Sequence, residues 1–220
     1  MARRTKEEAL ETRSKLLDAA ECLFQSQGVS GTTLQDIAVR AGTTRGAVYW
    51  HFKDKAALFN AMMERITLPL EAYFNQPEAQ PSPGSEPAAP ALERTRHAII
   101  SALSQIVNDA QTRRVLEVAT QKVEYVEENS TIRLRHLRAR NFFLCRVEEG
   151  LTCAVSQARL TPEVTAAMAA RGLHSLIDGL IQNWLLDPQA FDLVEAGRCA
   201  MDIYFRGLGF GSAQPGHAPG

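Results

Sequence analysis

Apolar residues recur three and four positions apart along most of the chain, the spacing of one face of an α-helix. Leu16, Leu17, Ala20, Leu23 and Phe24 predict a first helix from about Lys6 to Gln27, stopped by Gly28. Leu34, Ile37, Ala38 and Ala41 predict a short second helix, and Ala47, Val48 and Phe52 a third over Arg45–Phe52. A longer helix starts near Lys55 and carries Ala57, Leu58, Ala61, Met62 and Ile66. Pro69 falls inside its pattern, and because proline removes a helical hydrogen bond, a kink or an early end is expected there. After a Pro-rich loop over Asn75–Ala91, the pattern predicts helices over Ala91–Asp109, Arg113–Glu127, Glu128–Gln157, Thr161–Leu186 (Pro162 in its first turn) and Phe191–Gly207, with Asp187-Pro188 as a break. The fold class is therefore all-α. A three-helix, helix-turn-helix domain occupies 1–54, a second helical domain 55–208, and a Gly/Pro-rich tail read as disordered 209–220.

The 32–55 segment carries the most specific chemistry. Thr33 is a capping residue, Gly42 sits where a helix must end in a positive φ, and Thr43 or Thr44 can cap the next helix. That helix buries Ala47, Val48 and Phe52 and leaves Arg45, Gly46, Tyr49, Trp50 and His51 outward, with Lys53 and Lys55 following. An arginine in that place can pair with both acceptors of guanine in the major groove. Gly46 lets the backbone approach a base edge. Tyr49, His51, Lys55 and the Thr33 hydroxyl suit phosphate oxygens, which set register rather than sequence. Two aromatics and a histidine exposed on one short helix point to a use for that surface.

Charge changes the picture only in its distribution. The 220-residue chain has a formal net charge of −1, but residues 1–67 hold ten Lys and Arg against eight Asp and Glu, and the remainder is acidic. A positive field for DNA must come from placement: the Arg3-Arg4-Thr5-Lys6 arm, Arg45, Lys53, Lys55 and helix N-termini. No apolar run of membrane-spanning length and no secretory leader is present, so a cytoplasmic protein is expected. Cys22, Cys145, Cys153 and Cys199 show neither a CxxC pair nor metal spacing and read as buried free thiols. No Gly-rich phosphate loop, nucleophile elbow or metal cluster is found, so neither an enzyme nor a cofactor is expected.

On the Thr161–Leu186 helix, rotation by about 100° per residue puts Met168, Gly172, Ser175, Leu176, Gly179 and Asn183 on one stripe. Leu173, Ile177, Leu180, Ile181 and Trp184 lie on another. The second face enters the domain core. The first, rich in small residues, suits a partner helix, and Gly172, Ser175, Leu176, Gly179 and Asn183 are the candidate dimer contacts. His174 and Asp178 stand one turn apart, and a buried pair of that kind must be hydrogen-bonded to protein, water or ligand.

The run Tyr49-Trp50-His51-Phe52 resembles the end of the recognition helix in the TetR family of bacterial repressors. The opening ARRTKEEALETRSKLLDAAECLFQSQGVSGTTL, and later TRRVLEVATQKVEY and LIDGLIQNWLLDPQAFDL, resemble its AcrR/TtgR-like branch of multidrug efflux pump repressors. The resemblance implies a homodimer built as a four-helix bundle of the last two helices, a palindromic double-stranded operator, and a small-molecule inducer that is bulky and apolar. It implies ligand contacts at Ala98, Ala102, Leu116, Ala119, Thr120, Gln121, Val147, His174, Ile177 and Asp178. The branch often carries His where this chain has Thr120, so polar contacts there are expected to differ. The rival readings are a regulator of the same fold for lipid or catabolic genes, and a redox sensor. For the latter, Cys145 and Cys153 are about 12 Å apart on one helix, beyond disulfide reach, leaving an intersubunit Cys199 pair.

Overall fold

The computed structural model describes residues 2–74, 90–124 and 130–210. Among them every regular element is a helix: α1 Ala2–Gly31, α2 Leu34–Arg40, α3 Arg45–His51, α4 Lys55–Phe74, α5 Ala91–Asn108, α6 Ala110–Gln121, α7 Ser130–Ala158, α8 Ala166–Leu186 and α9 Leu193–Gly207. Most of the Pro-rich 75–91 loop and most of the 209–220 tail lie outside the described residues. The chain divides into two compact units, Met1–Ala72 with Asn108–Arg140, and Tyr73–Val107 with Asn141–Gly220. The helix-turn-helix thus shares its unit with α4 and α6.

In the first unit Leu16, Leu17, Ala20 and Phe24 of α1 are sealed against Ile37, Ala38, Val48, Leu58, Met62 and Ile66, all at 1% exposure or less. α6 adds Val115, Val118 and Ala119 to the same core. Gly28 breaks α1 as expected, at φ 77°, and the chain resumes helical geometry only to Gly31. The break would orphan the Val29 amide, which donates instead to the Lys122 carbonyl at the end of α6 (3.0 Å).

α2 begins with a full capping box: the Thr33 hydroxyl accepts from the Asp36 amide, and the Asp36 carboxylate accepts from the Thr33 amide. The Thr33 hydroxyl also donates to that carboxylate, and these bonds lower the Asp36 pKa. It ends in a Schellman motif, with Gly42 at φ 66°, its amide on Val39 and the Thr43 amide on Ala38. Thr44 then caps α3.

Several boundaries differ from expectation. α1 starts at Ala2, so the basic arm belongs to that helix. α4 neither ends nor breaks at Pro69 but runs on to Phe74; proline already holds a helical φ, and the cost is one missing N–H to the Arg65 carbonyl. Asp109 caps α6 through the Gln111 and Thr112 amides, so the helix starts at Ala110, three residues before the expected Arg113. α8 starts at Ala166, not near Thr161, because Thr165 supplies the cap to Met168.

In the second unit α8 packs on α9. Gly172 allows the approach: a Cβ there would stand 2.4 Å from the Tyr204 hydroxyl, which donates to the Ala169 carbonyl at 2.8 Å. Of the predicted core face, Leu173, Ile177 and Trp184 are buried with Met201 and Phe205, while Leu180 and Ile181 are half-buried.

Candidate DNA-binding surface and ligand-domain residues

α3 is a helix with one buried side chain, Val48, and an outward face that this unit leaves to solvent. Tyr49 is 47% and Trp50 73% exposed. Phe52 is the buried plug at its end, in extended rather than helical geometry. Arg45 lies along this face, its guanidinium donating to the Tyr49 hydroxyl (3.1 Å) and sitting 5.4 Å from the ring centroid. The arginine therefore lies against Tyr49 on the exposed face of α3. Trp50 meets the His51 ring edge-on at 4.5 Å. Burial, and then the nearby Arg13 charge, push the His51 pKa below its ordinary value. Arg13 itself sits over the Phe52 ring.

Gly46 is exposed, and a Cβ there would meet only the Thr44 hydroxyl oxygen at 3.7 Å. Nothing inside the fold requires glycine at this helical position. Thr33 and Thr44 hold their hydroxyls on helix caps, and Thr43 is half-buried in the turn between α2 and α3. The structure gives Lys55 an internal role: its ammonium donates to the carbonyls of Val29 (2.6 Å) and Thr32 (3.0 Å), closing the end of α1. Lys53, with a side chain 82% exposed, remains the outward cation of the pair. α1 ends at Gly31 with no basic residue of its own in the last turn, so Lys55 meets carbonyls that the helix leaves open.

The ligand candidates divide between the units. In the second, Ala98, Val147 and Ile177 are buried, and Ala102, His174 and Asp178 half-buried. His174 lies 5.3 Å from the Phe143 ring, and Asp178 accepts from Gln182 at 2.6 Å. In the first unit, Ala119 is buried and Leu116 half-buried against the core. Thr120 donates to the Leu116 carbonyl, and the buried Gln121 amide nitrogen has no hydrogen-bond partner. Glu117, which from spacing alone could be a solvated face, accepts from Gln25 of α1 (2.8 Å). Of the basic run Arg133, Arg135, Arg138 and Arg140, whose spacing reads as a solvated face, three are exposed and Arg135 is half-buried.

The α8 stripe stays outward within its own unit. Met168 is 61% exposed, Leu176 36%, and Ile203 on α9 67%. Gly179 has open space before it, and Ser175 and Asn183 satisfy their polar atoms on carbonyls of their own helix. The cysteines correct the sequence reading. Cys22 is half-buried, but Cys145, Cys153 and Cys199 are exposed, on outer faces of α7 and α9. Hydrogen bonds to Glu149 and Glu195, four residues away, raise the pKa of Cys145 and Cys199 and suppress the reactive thiolate. Among the described residues there is no cluster able to hold a metal and no helix long and apolar enough to cross a membrane.

Known proteins place this architecture. Residues 16–62 match the model for bacterial regulatory proteins of the tetR family, and residues 90–210 that for the C-terminal region of MAATS-type transcriptional repressors. The HTH-type transcriptional regulator TtgR of Pseudomonas putida is 37% identical over 198 residues, covering 88% of this chain and 90% of its own. NalD, the secondary repressor of the MexAB-OprM multidrug efflux pump in Pseudomonas aeruginosa, superimposes with a TM-score of 0.79 at 36% identity, over 92% of this chain and 98% of NalD. SmeT, the repressor of the Stenotrophomonas maltophilia pump SmeDEF, has been solved with triclosan and gives a TM-score of 0.78 at 28% identity, over 95% and 97%. With an outward-facing α3 and matches that span both its N- and C-terminal helices, the chain belongs to the TetR family of bacterial regulatory proteins and is a DNA-binding transcriptional repressor.

Proposed function

We propose that the protein represses a multidrug efflux operon and its own gene from a palindromic operator, and that a bulky apolar compound releases it. The observation that carries this reading is the exposed face of α3, with Arg45 lying against Tyr49 on it. The efflux assignment is supported by relatives named as regulators of such pumps across nearly their full length. Arg45 reads guanine, Gly46 admits the α3 backbone to the groove, and Tyr49, Trp50, His51 and Lys53 face phosphate and sugar. Thr33, Thr43 and Thr44 set the two short helices, and Lys55 holds the end of α1 from below.

Two recognition helices must reach half-sites about 34–36 Å apart, which requires a dimer. Met168, Leu176, Gly179, Ser175 and Asn183 on α8, with Ile203 on α9, form the proposed interface; Gly172 serves the α8–α9 contact inside one chain. Within the second unit Ala98, Ala102, Val147, His174, Ile177 and Asp178 are proposed ligand contacts, and within the first unit Leu116, Ala119, Thr120 and Gln121 are. The unpartnered Gln121 amide is the polar group with most to gain from a ligand acceptor. A ligand acts as inducer only if it binds the DNA-incompetent arrangement more tightly.

A gel shift on the DNA upstream of the gene, with and without a drug panel that includes triclosan, tests the reading. A specific shift released by one or more bulky apolar drugs is expected. A specific shift that none of them releases would remove the efflux assignment while keeping the repressor.

A further inference from the structure

Glu21 is a carboxylate 1% exposed in the middle of α1, and the DNA-binding face makes no use of it. It accepts from Arg65 of α4 at 2.7 Å and from Gln111 of α6 at 3.0 and 3.3 Å, and Arg114 of α6 stands 3.7 Å away. Arg65 also holds Asp18 and both the carbonyl and hydroxyl of Ser14. One turn further along α1, Gln25 donates to Glu117 of α6. One turn beyond that, the Val29 amide left over by the Gly28 break donates to the Lys122 carbonyl at the end of α6. Positions 21, 25 and 29 of α1 thus meet 111 and 114, then 117, then 122 of α6, in the same order along both helices.

The rest of this contact is apolar, with Val115, Val118 and Ala119 against the α1 core. Apolar burial is non-directional and by itself specifies register less strictly than polar pairing does. Hydrogen bonds and a buried ion pair are directional, and a buried pair contributes little stability over an apolar substitute. A charge kept there therefore fixes register. The last rung touches the segment 28–32, which runs directly into Thr33, the cap of α2.

We propose that Glu21 is the register lock of α6 on α1, a positioning residue through which axial movement of α6 reaches the helix-turn-helix. The inference rests on the protein being a repressor whose ligand-side helices control its operator affinity. Cutting the lock on the α6 side, with Gln111→Leu and Arg114→Met together, leaves the Glu21–Arg65 pair intact. Asp18→Asn removes a charged partner of the same Arg65 without touching α6 and serves as control.

The experiment measures native-state amide exchange and affinity for an operator selected from random DNA on the wild-type protein. In the double variant, Val29 exchange is expected to accelerate about tenfold, the effect of weakening one hydrogen bond's support, while amides of the α1 core keep their rates. Operator affinity should fall with it, and Asp18→Asn should change neither. Exchange that rises uniformly through α1 and α6, or a Val29 rate equal to wild type, would overturn the proposal. A faster Val29 with unchanged operator affinity would overturn it too. If selection enriches no operator, the functional reading fails, and Val29 exchange still decides whether the lock exists.

Discussion

At the scale of residues, the account turns on a handful of side chains of α3. Arg45→Ala should lose about five- to 150-fold in affinity per half-site with an unchanged thermal transition, since a bidentate pair with guanine is worth about 1–3 kcal/mol and the exposed side chain supports no core. Equilibrium binding beside a thermal melt checks both halves. Gly46→Ala separates structure from function more sharply. It should stabilise α3 by about 0.5–1 kcal/mol, because glycine is costly inside a helix and the space for a Cβ is open, yet weaken operator binding by crowding the groove.

His51 supplies a pH test. Its depressed pKa means that the unfolded chain takes up a proton more readily than the free folded protein, so its contribution to folding is present above about pH 6.5 and is lost as pH falls below it. The phosphate proposed to lie beside the ring would reverse the preference, so binding would take up a proton. Operator affinity measured from pH 7.5 down to 6 should rise, and the slope should flatten in His51→Gln.

The outward face of α3 was legible in its sequence, because a short helix with one apolar stripe can turn only one way. The role of Lys55 was not legible. A lysine two residues past a basic neighbour looks like a phosphate contact until the position of the α1 carbonyls is known.

At the scale of elements, local chemistry carried most of the information. Thr33, Gly42 and Thr44 each perform the cap that their residue types predict, and the capping box adds Asp36. Thr33→Ala should cost about 1 kcal/mol in a denaturant melt. Where boundaries moved, a better cap stood near by: Thr165 outcompeted Thr161, and Asp109 started α6 ahead of Arg113. Pro69 misled because a sequence rule counts the lost hydrogen bond and cannot count the burial of Leu58, Met62 and Ile66 that holds α4 in place. Pro69→Ala should restore the bond to Arg65 and raise stability by up to about 3 kcal/mol. The polar rungs between α1 and α6 could not be read from spacing, since Glu21, Gln25 and Glu117 look like ordinary surface positions until the helices are paired.

At the scale of the whole molecule, one chain leaves the Met168, Leu176 and Ile203 surfaces outward. Two like charges placed there by Met168→Glu and Ile203→Glu should yield monomers in analytical ultracentrifugation, with operator affinity lost through the missing second half-site. The carboxylates beside Cys145 and Cys199 raise the pKa of these two thiols, which lowers their thiolate fraction. The central claim is that this fold presents α3 to a specific DNA sequence as a regulated dimer. Its most direct test is binding of the purified protein to the DNA upstream of its own gene, titrated with salt and repeated with Arg45→Ala. The account predicts a specific complex of one dimer per palindrome, an affinity that falls steeply with salt as phosphate counterions are displaced, and loss of specificity in the variant. Arg45→Ala binding the same site with native affinity and specificity would contradict it.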